Sequence, residues 1–571
     1  MNPFKIKGIL SVIPLLISFL FARIEILIDR RKLSKVFITI FFILVFLTGF
    51  AQETHNLEII WVKTSPDSVF AFGRCIASGD VNGDSFSDIM IVGDSVLDWT
   101  NPDSCYRGKC WIFYGGVSFD TIPDIWLLNL QKRIFGALHS ADINGDGFDD
   151  VLIGDCYNQW EEVLIFLGGN PMDTICDYRI RGPHVGSVFG CEVSAGDVNG
   201  DGYKDLIVGA YGAAPHPGGY DKGQVYIYYG GPNFDTIPDV ILNGGHENDQ
   251  EGFGTSVSGA GDVNKDGFSD LIIGAGNFGQ RIQGRVYIYL GGNPMDTIYD
   301  VAMSGQRSWQ QLGWEGIDFL INPTKDHAII GGYGIEKGGV CVLFGGSEMD
   351  SIPDVLLTTE GDSSFLGSKA VNAGFTSCSE ASDALAGAPT EYGRKGTAYL
   401  WLGGELLDSM PDAWIRGVQR DSGIGWGVTS AGDVDGDGKD EIMVSNYATY
   451  YTPRRVWVCK YTGGAIEEKR NFRSKNISLS ITPNIVIKEV SLRYKIAALC
   501  KVSLKVYDIE GKLIKVLEAG YKAFDVGEYE IRWNLSDDQE KKVQAGIYIL
   551  EFIADDEKQV IRKTGKIIVV K

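Results

Sequence analysis

The strongest constraint on the fold of this 571-residue chain is an acidic segment that recurs along it. The clearest copy reads AGDVNGDGYKDLIVGA over residues 195–210, and four other copies share its Asp, Asn and Gly pattern followed by an apolar stretch. Two weaker copies lack the acidic residues. The copies begin 55 to 65 residues apart, near these positions: Asp80, Asp142, Asp197, Asp262, Phe319, Phe375 and Asp433. A period of this length predicts a repeat protein with seven units.

Each unit also contains apolar segments of the length of β-strands. One ends in a pair of small residues, as in GQVYIYYGG at residues 223–231, and a turn and a further segment follow, as in FDTIPDVILNG at residues 234–244. Apolar residues alternate or run continuously over five to eight positions, and no helical period separates them. The 73 Gly and 18 Pro residues suit short strands joined by tight turns. The sequence therefore predicts an all-β fold, with a seven-bladed β-propeller of four strands per blade over residues 52–463.

The two ends of the repeat region predict how the ring closes. A turn similar to D-T-I-P-D follows the Gly-Gly strand in six units, but a polar stretch follows the seventh strand, RVWVCKYTGG at residues 455–464. The segment LEIIWVK at residues 57–63 precedes the first acidic loop and has no partner strands of its own. We predict that this segment supplies the outer strand of the last blade.

The acidic segments have the spacing of a calcium-binding loop. In residues 197–205, oxygen-bearing side chains occupy positions 1, 3, 5 and 9, and the backbone carbonyl of Tyr203 is available at position 7. Calcium takes six to eight oxygen ligands, and Gly200 and Gly202 allow the chain to wrap around an ion. An EF-hand is excluded because its position 12 carries a bidentate Glu, whereas Val208 stands here. The alternative is a set of metal-free turns, because Asp, Asn and Gly favour turns in any case.

Five copies with acids at positions 1, 5 and 9 favour calcium over metal-free turns. We expect about five calcium ions with a structural role, one in each acidic loop, and no metal in units five and six. The predicted ligands at positions 1, 3, 5, 7 and 9 are Asp80, Asn82, Asp84, Phe86 and Asp88; Asp142, Asn144, Asp146, Phe148 and Asp150; Asp197, Asn199, Asp201, Tyr203 and Asp205; Asp262, Asn264, Asp266, Phe268 and Asp270; and Asp433, Asp435, Asp437, Lys439 and Glu441.

The order of these elements resembles a known repeat family. Phe-Gly pairs precede the acidic loops at Phe135-Gly136, Phe189-Gly190 and Phe253-Gly254, and Gly387-Ala388-Pro389 matches the last element of the motif. Over about residues 57–463 the chain resembles the FG-GAP repeats of integrin α-subunit propellers and their bacterial relatives. Units five and six depart from the motif.

The N-terminus is typical of an export signal. The basic stretch RRKLSK at residues 30–35 precedes an apolar run and the small residues of TGFAQ, which suit cleavage after Ala51. A second apolar run upstream, at residues 8–22, indicates either a start codon placed too early or a membrane hairpin or anchor. Removing residues 1–51 takes away seven basic and two acidic residues and leaves a net charge near −27. This charge argues against nucleic acid as a partner and for bound cations.

The C-terminal region differs from the repeats. After a polar linker at residues 464–476, residues 477–571 contain short strands and hairpin turns without a repeat, which predicts a small Ig-like β-sandwich. This region resembles the C-terminal sorting domains of type IX secretion substrates and FlgD-like Ig modules. The matching elements are Val506-Tyr507-Asp508 with Gly511, Gly527 with Tyr529 and Trp533, Gly546-Ile547-Tyr548, and Lys566 to Lys571.

That resemblance implies a role for the C-terminal module in export. As in its relatives, the module would engage an export machinery and would then be cleaved or would attach the protein to the cell surface. Two departures weaken this interpretation, because TPNIV stands at residues 482–486 and the usual Gly after Asp538 is absent. An Ig-like stalk without a sorting role is the alternative.

The sequence contains no recognisable catalytic motif. GAGNFG at residues 274–279 fits a dinucleotide-binding pattern, but the strand QGRVYIYLGG follows where a Rossmann fold needs a helix. The six His residues form no HExxH motif, and no GxSxG segment is present. We therefore expect that the protein is not an enzyme.

Aromatic residues in the loops predict a binding face on the side opposite the acidic loops. They could instead pack onto neighbouring blades. These residues are Trp99, Tyr106, Tyr157, Trp160, Tyr211, Tyr220, Trp309, Tyr333, Tyr392, Tyr447, Tyr450 and Tyr451. Aromatic loops on a rigid scaffold suit recognition of an extracellular protein or carbohydrate. We expect a secreted or surface-attached bacterial propeller that acts in adhesion or as a scaffold. The alternative is a secreted enzyme or an accessory propeller of a polysaccharide-degrading system.

Overall fold

The structure is a computed structural model of the full chain. The predicted export segment (1–51) and the predicted linker (464–476) lie outside the residues it describes. The described residues are 52–65, 69–96, 106–128, 136–156, 161–213, 222–245, 251–279, 281–305, 309–314, 316–332, 339–346, 349–359, 365–377, 380–404, 407–418, 420, 422–446, 454–463, 477–482, 485–486, 488–496, 500–508, 512–524, 527–539, 541–555 and 560–570.

The described residues up to Gly463 form short strands, as the alternating apolar segments predict. The first half of this region contains β1 (Gln52–His55), β2 (Leu57–Thr64), β3 (Val69–Phe70), β4 (Ile76–Gly79), β5 (Asp88–Val96), β6 (Tyr106–Phe113), β7 (Ile125–Leu128), β8 (Leu138–Ala141), β9 (Asp150–Asp155), β10 (Glu162–Phe166), β11 (Tyr178–Arg181), β12 (Phe189–Gly196), β13 (Asp205–Ala210), β14 (Gln224–Tyr228) and β15 (Val240–Asn243).

The second half continues the pattern. It contains β16 (Phe253–Gly261), β17 (Asp270–Ala275), β18 (Arg285–Tyr289), β19 (Val301–Ser304), β20 (Ile317–Leu320), β21 (His327–Gly332), β22 (Gly339–Phe344), β23 (Val355–Leu357), β24 (Ala370–Asn372), β25 (Ala384–Ala388), the short helical turn α1 (Glu391–Arg394), β26 (Thr397–Trp401), β27 (Ala413–Gly417), β28 (Ile424–Gly432), β29 (Glu441–Asn446) and β30 (Arg455–Tyr461).

Each repeat forms its own antiparallel sheet. Strands β8 to β11, β12 to β15, β16 to β19 and β20 to β23 form four-stranded sheets in which strands consecutive in the chain are neighbours. The first unit pairs β4, β5, β6 and β7 in the same way, with β3 also beside β5, and the sixth unit pairs β24 to β27. The all-β prediction is confirmed, and these sheets are consistent with the predicted propeller.

The seventh unit combines the two ends of the repeat region. Its sheet has the order β2-β30-β29-β28, and β2 runs antiparallel to β30 from Leu57 opposite Tyr461 to Thr64 opposite Arg455. The prediction that residues 57–63 supply the outer strand of the last unit is therefore confirmed.

The hydrophobic core lies between neighbouring sheets. One cluster combines Leu152 of unit two with Phe189 and Val208 of unit three, and another combines Ile89 of unit one with Met443 of unit seven. All of these side chains are almost completely buried. Because no sheet buries both of its faces alone, each unit depends on its two neighbours.

The C-terminal region forms two further sheets. Its strands are β31 (Ile477–Thr482), β32 (Ile485–Val486), β33 (Val490–Ile496), β34 (Cys500–Asp508), β35 (Leu513–Phe524), β36 (Gly527–Trp533), β37 (Gly546–Asp555) and β38 (Val560–Val569). One sheet has the order β31-β33-β36 and the other β32-β38-β37-β34-β35. Buried side chains of both, including Leu492, Trp533 and Phe552, form one core. The assignment of this region as an Ig-like sorting domain stays a prediction.

The helical content of the described residues is very low. Three of the four residues of the turn α1 have a positive φ: Tyr392, Gly393 and Arg394. Within the described ranges, no helix has the length and hydrophobicity that a membrane span needs.

Candidate metal sites

The five acidic segments occupy the same place in their units, between the first and second strands. We name them loop one (80–88), loop two (142–150), loop three (197–205), loop four (262–270) and loop seven (433–441). In unit three, β12 ends at Gly196 and β13 begins at Asp205, so the loop lies between two strands that pair directly. The strand pair therefore fixes the first and last residues of the loop next to each other.

Side-chain oxygens hold each loop in a tight coil of backbone. In loop three, Asp197 Oδ1 accepts a hydrogen bond from Asp201 N at 3.0 Å, and Asp197 Oδ2 accepts one from Gly202 N at 2.9 Å. Asp201 Oδ1 accepts a hydrogen bond from Tyr203 N, and Asn199 Oδ1 accepts one from Asp201 N. The same bonds recur in loops two and four. The predicted ligands at positions 1, 3 and 5 are thus gathered around one short coil.

The ligand predicted at position 9 is buried. Asp205 is fully buried, and its carboxylate accepts hydrogen bonds from Val198 N and Gly230 N, both at 2.9 Å. Burial raises the pKa of Asp205 to about 7, partly offset by these two N–H donors, and the charges of Asp201 and Asp197 add to the rise. The pKa values of Asp88, Asp150 and Asp270 are raised to about 7 for the same reasons. Each of these loops therefore concentrates negative charge that a cation would balance.

The residue predicted at position 7 contacts the preceding unit. The ring of Phe268 in loop four covers Gly200 in loop three, where an added Cβ would lie 2.6 Å from ring atom Cε1. Phe148, Tyr203 and Phe86 cover the glycines at position 4 of loops one, two and seven in the same way. The backbone N–H of Phe268 donates to Asp266 within its own loop. Position 7 thus joins one loop to the next as well as offering a carbonyl.

Backbone hydrogen bonds also connect successive loops. Ser269 N donates to the carbonyl of Asp197 at 2.7 Å, and Ser87 N donates to the carbonyl of Asp433 at 3.0 Å. Because unit seven contacts unit one in this way, loops seven, one, two, three and four form one continuous arc. The sequence predicts a role for each loop within its own unit, and the structure adds contacts between units.

Loop seven differs from the other four in its charged side chains. Position 3 holds Asp435 where the other loops have Asn. Oxygens of Asp433, Asp435 and Glu441 lie within 4.8 Å of one another, and no other group of three His, Cys, Asp or Glu residues in the described ranges meets this separation. Lys460 Nζ lies 2.6 Å from Asp435 Oδ2 and from Asp437 Oδ2, and 3.8 Å from Glu441 Oε1.

Lys460 is a site residue that sequence reasoning missed. A comparison of the repeats could have found it. Lys460 directly follows the last residue of the third strand that pairs with the second strand, and no other acidic unit has a charged residue there. The residues at this position in units one to four are Tyr114, Leu167, Tyr229 and Leu290. In unit seven the pairing of Ile442 with Cys459 places Lys460 beside Glu441. Position 7 of the same loop holds Lys439, whose backbone N donates to Asp437 at 3.0 Å.

Unit five contains a shorter loop than the alignment predicts. The alignment places its start near Phe319, but the carbonyl of Ile321 accepts the hydrogen bond from Ser382 N that marks position 1. His327 stands where the other loops end in an acid, and its Nδ1 lies 3.4 Å from Gly345 N. Burial lowers the pKa of His327, which favours the neutral ring. Unit five therefore lacks the buried closing carboxylate of loops one to four.

Loop four differs from the other acidic loops at the position that contacts unit five. Lys265 occupies position 4 of loop four, where the other loops have Gly, with a φ of 59°. Its Nζ lies 2.8 Å from Oδ1 of the buried Asp326 in unit five. Asp326 also accepts hydrogen bonds from Asp262 N and Asn322 N.

Unit six keeps the closing acid but surrounds it with neutral donors. Asp383 is fully buried and accepts hydrogen bonds from Thr376 Oγ1 at 2.6 Å, Gly403 N at 2.7 Å and Ser377 N at 3.2 Å. Burial raises the pKa of Asp383 to about 6, and these donors lower it. Hydroxyl and amide groups therefore stand where loops one to four present carboxylates.

The donor set of loops one to four fits a calcium ion. Each supplies three carboxylates, one amide oxygen and a backbone carbonyl, all of them oxygen donors, as calcium prefers. Loop seven holds the Lys460 ammonium group among its acids.

Few of the aromatic residues predicted on the opposite face can be compared with the structure. Trp309 is 66% exposed, and Tyr392 is 39% exposed with its ring 3.9 Å from the Arg416 guanidinium. Tyr211 is half-buried at the end of β13. The side chains of the other nine lie outside the described residues.

Two stretches of the chain match a known family. The family described as FG-GAP repeat matches residues 189–228 and 253–289, which are the first three strands of units three and four with their acidic loops. These two stretches are similar to FG-GAP repeats. The matched segments begin at Phe189 and Phe253, the Phe-Gly pairs that the sequence analysis singles out.

Three curated proteins are similar to part of this chain. Integrin alpha-5 of Xenopus laevis is 33% identical over 185 residues, which are 30% of this chain and 17% of that protein. Integrin alpha-PS2 of Drosophila melanogaster is 34% identical over 187 residues, 29% of this chain and 13% of that protein. Phosphatidylinositol-glycan-specific phospholipase D of Bos taurus is 34% identical over 180 residues, 28% of this chain and 21% of that protein. The chain thus spans about a fifth or less of the length of these relatives.

The chain also aligns with the solved structure of PorZ, an essential bacterial surface component of the type-IX secretion system of Porphyromonas gingivalis. The alignment covers 84% of this chain and 58% of that chain, with 13% identity and a TM-score of 0.31. At these values the alignment does not bear on the fold or function of this chain. The repeats and the integrin relatives support an FG-GAP β-propeller.

Proposed function

We propose that this protein is a seven-bladed FG-GAP propeller, stabilised by calcium and displayed outside a bacterial cell, that binds a macromolecular partner. In loops one to four, the side chains at positions 1, 3, 5 and 9 and the carbonyl at position 7 would hold the ion. A bound calcium ion would supply positive charge to a site that contains three carboxylates. The chain's own residues fix the loop between two paired strands and join it to the loop of the next unit.

One observation carries the calcium assignment. In loops one to four a fully buried Asp closes the loop, and its pKa is raised to about 7 by burial and by neighbouring acids. A buried carboxylate that faces other carboxylates is costly unless a cation balances it. Unit five has no closing acid, and the closing acid of unit six accepts hydrogen bonds from hydroxyl and amide groups. Neither unit therefore needs a cation to offset the burial of a closing carboxylate.

The calcium assignment is tested by thermal unfolding of the mature chain from residue 52. We expect a chelator to lower the melting temperature and excess calcium to restore it, because a ligand that binds only the folded state stabilises it. Magnesium at the same concentration is the control ion, since it demands a smaller octahedral site. An identical melting temperature with chelator and with calcium would contradict the proposal.

The proposed activity is adhesion or scaffolding rather than catalysis. Loops on the face opposite the acidic loops provide exposed aromatic groups such as Trp309, which suit recognition of a protein or carbohydrate. The C-terminal region would engage an export machinery or attach the protein to the surface, as its resemblance to sorting domains implies.

The binding role is tested with a glycan array and with capture of extracellular proteins on the immobilised mature chain. Saturable binding that is weakened by Trp309→Ala supports it. The competing function is that of a secreted enzyme or of an accessory propeller for polysaccharide breakdown. Turnover of a polysaccharide by the purified chain, without saturable binding of a non-substrate partner, would favour that alternative.

A further inference from the structure

A side chain of the protein itself places a positive charge among the acids of loop seven. Lys460 extends from β30 into the loop, and its ammonium group lies 2.6 Å from Asp435 Oδ2 and 2.6 Å from Asp437 Oδ2. An ammonium group has three donors and no acceptor, so it can contact several carboxylates at once. The Lys460 side chain is 21% exposed, and it forms these contacts partly shielded from water.

The third acid of the cluster depends on the same cation. Glu441 is fully buried, and its Oε2 accepts a hydrogen bond from Val434 N at 3.2 Å. Its Oε1 is buried without a hydrogen-bond donor and lies 3.8 Å from Lys460 Nζ. In loops one to four the corresponding Asp accepts a glycine N–H on this second oxygen. The Lys460 ammonium group therefore partly replaces a donor that unit seven lacks.

The charges of loop seven are balanced differently from those of its relatives. Loops two, three and four join positions 3 and 5 through a hydrogen bond from the Asn side chain to the Asp, at 2.8 to 3.0 Å. Loop seven has carboxylates at both positions, which would repel each other, and Lys460 bridges them. The additional acid and the additional base are thus matched within one site.

We propose that the Lys460 ammonium group is the resident cation of loop seven, so that this loop holds its shape without a divalent ion and calcium binds only in loops one to four. The inference rests on the proposed calcium role of the other loops. Its structural consequence concerns the unit in which the N-terminal strand β2 completes the sheet. The unit that closes the ring is then the acidic unit whose folding does not require calcium.

The test is the number of calcium ions bound to the mature chain, measured by isothermal titration and equilibrium dialysis after chelation. Lys460→Met should bind one ion more than the wild type, because it opens a cluster of four acids. Lys439→Met removes the same charge from the same loop but keeps the backbone carbonyl of position 7 and leaves Lys460 among the acids, so it should leave the number unchanged. An unchanged number in Lys460→Met would overturn the inference while leaving the calcium role of the other loops intact.

A reciprocal variant keeps the inference testable if Lys460→Met does not fold. The register of β13 and β14 places Tyr229 beside Asp205 as Lys460 lies beside Glu441. Tyr229→Lys should therefore lower the number of bound calcium ions by one. A full set of ions in the folded Tyr229→Lys chain would show that a lysine at this position does not displace calcium, and would overturn the inference.

A second readout separates this inference from the proposed calcium role. In chelator, Lys460→Met should unfold at a lower temperature than Lys439→Met, because Glu441 then has no cation near it. Equal melting temperatures of the two variants in chelator would contradict a role of Lys460 as the cation of the loop. If no variant binds calcium at all, the calcium proposal fails, and this comparison alone decides whether Lys460 holds loop seven.

Discussion

Six of the loops lie between two paired strands and end in a buried polar residue: loops one to four and the corresponding loops of units five and six. The closing residue and its surroundings differ in three ways. Loops one to four end in a buried Asp that faces two further acids. Unit five ends in His327, and unit six ends in Asp383 with hydroxyl and amide donors around it. All six loops thus end in a buried polar residue, whereas only loops one to four and loop seven surround it with further acids, which is the feature that the proposed cation role explains.

The contacts between units follow the same division. Where an acidic loop precedes another acidic loop, a glycine at position 4 lies beneath an aromatic ring of the next unit. Where loop four precedes unit five, Lys265 replaces the glycine and pairs with Asp326. The loss of the loop in unit five is therefore matched by a change in unit four.

The largest expected effect on stability tests whether the buried Asp383 of unit six is balanced by neutral hydrogen-bond donors or by a cation. Asp383→Ala should lower the free energy of unfolding by about 3–4 kcal/mol, because Thr376, Ser377 and Gly403 lose a buried acceptor. The loss should be the same with calcium and with chelator, measured by denaturant unfolding. A loss that is much larger in calcium would show that unit six also holds an ion and would break the comparison.

The strand plan and the loop positions could be predicted from the sequence because they depend on local signals. Apolar alternation, Gly-Gly ends and the Asp and Asn spacing recur in each copy, and the unpartnered residues 57–63 indicated how the last sheet is completed. The start of unit five could not be placed, because its loop is shorter and Ile321 carries no side-chain signal. The contacts of Lys265 and Lys460 depend on strand register and on the neighbouring unit, which no single repeat encodes.

A smaller effect is expected from an acid within the arc. Asp201→Asn keeps the size of the side chain and an oxygen that can accept the hydrogen bond from Tyr203 N, but it removes one charge from loop three. With calcium at about 100 times its dissociation constant, loss of one bound ion would lower the free energy of unfolding by about 2.7 kcal/mol. In chelator the change should be about 1 kcal/mol or less, because Asp201 is exposed and only the hydrogen bond from Asn199 Nδ2 is lost.

The control for this variant makes the same change of charge outside the acidic loops. Asp235→Asn alters an exposed Asp in the turn before β15, outside the acidic loops. Asp235 accepts a hydrogen bond from Ile237 N, as Asp201 does from Tyr203 N. It should have the same small effect with calcium and with chelator. Equal effects of Asp201→Asn in the two conditions would contradict calcium binding in loop three.

The smallest expected effect on stability concerns position 4 of the acidic loops, which holds a glycine beneath an aromatic ring in four loops and Lys265 in loop four. Gly200 has a φ of 73° and lies beneath the Phe268 ring, so Gly200→Ala adds both backbone strain and a close contact. We expect it to lower the free energy of unfolding by about 1–2 kcal/mol. Lys265→Gly, at the same position of loop four, should cost about 1 kcal/mol or less, because Asp326 keeps its two backbone donors. Thermal and denaturant unfolding in saturating calcium measure both. If Lys265→Gly costs more than Gly200→Ala, the lysine is the main contact between units four and five, and the loss of the acidic loop in unit five depends on that ion pair more than on the missing aromatic ring.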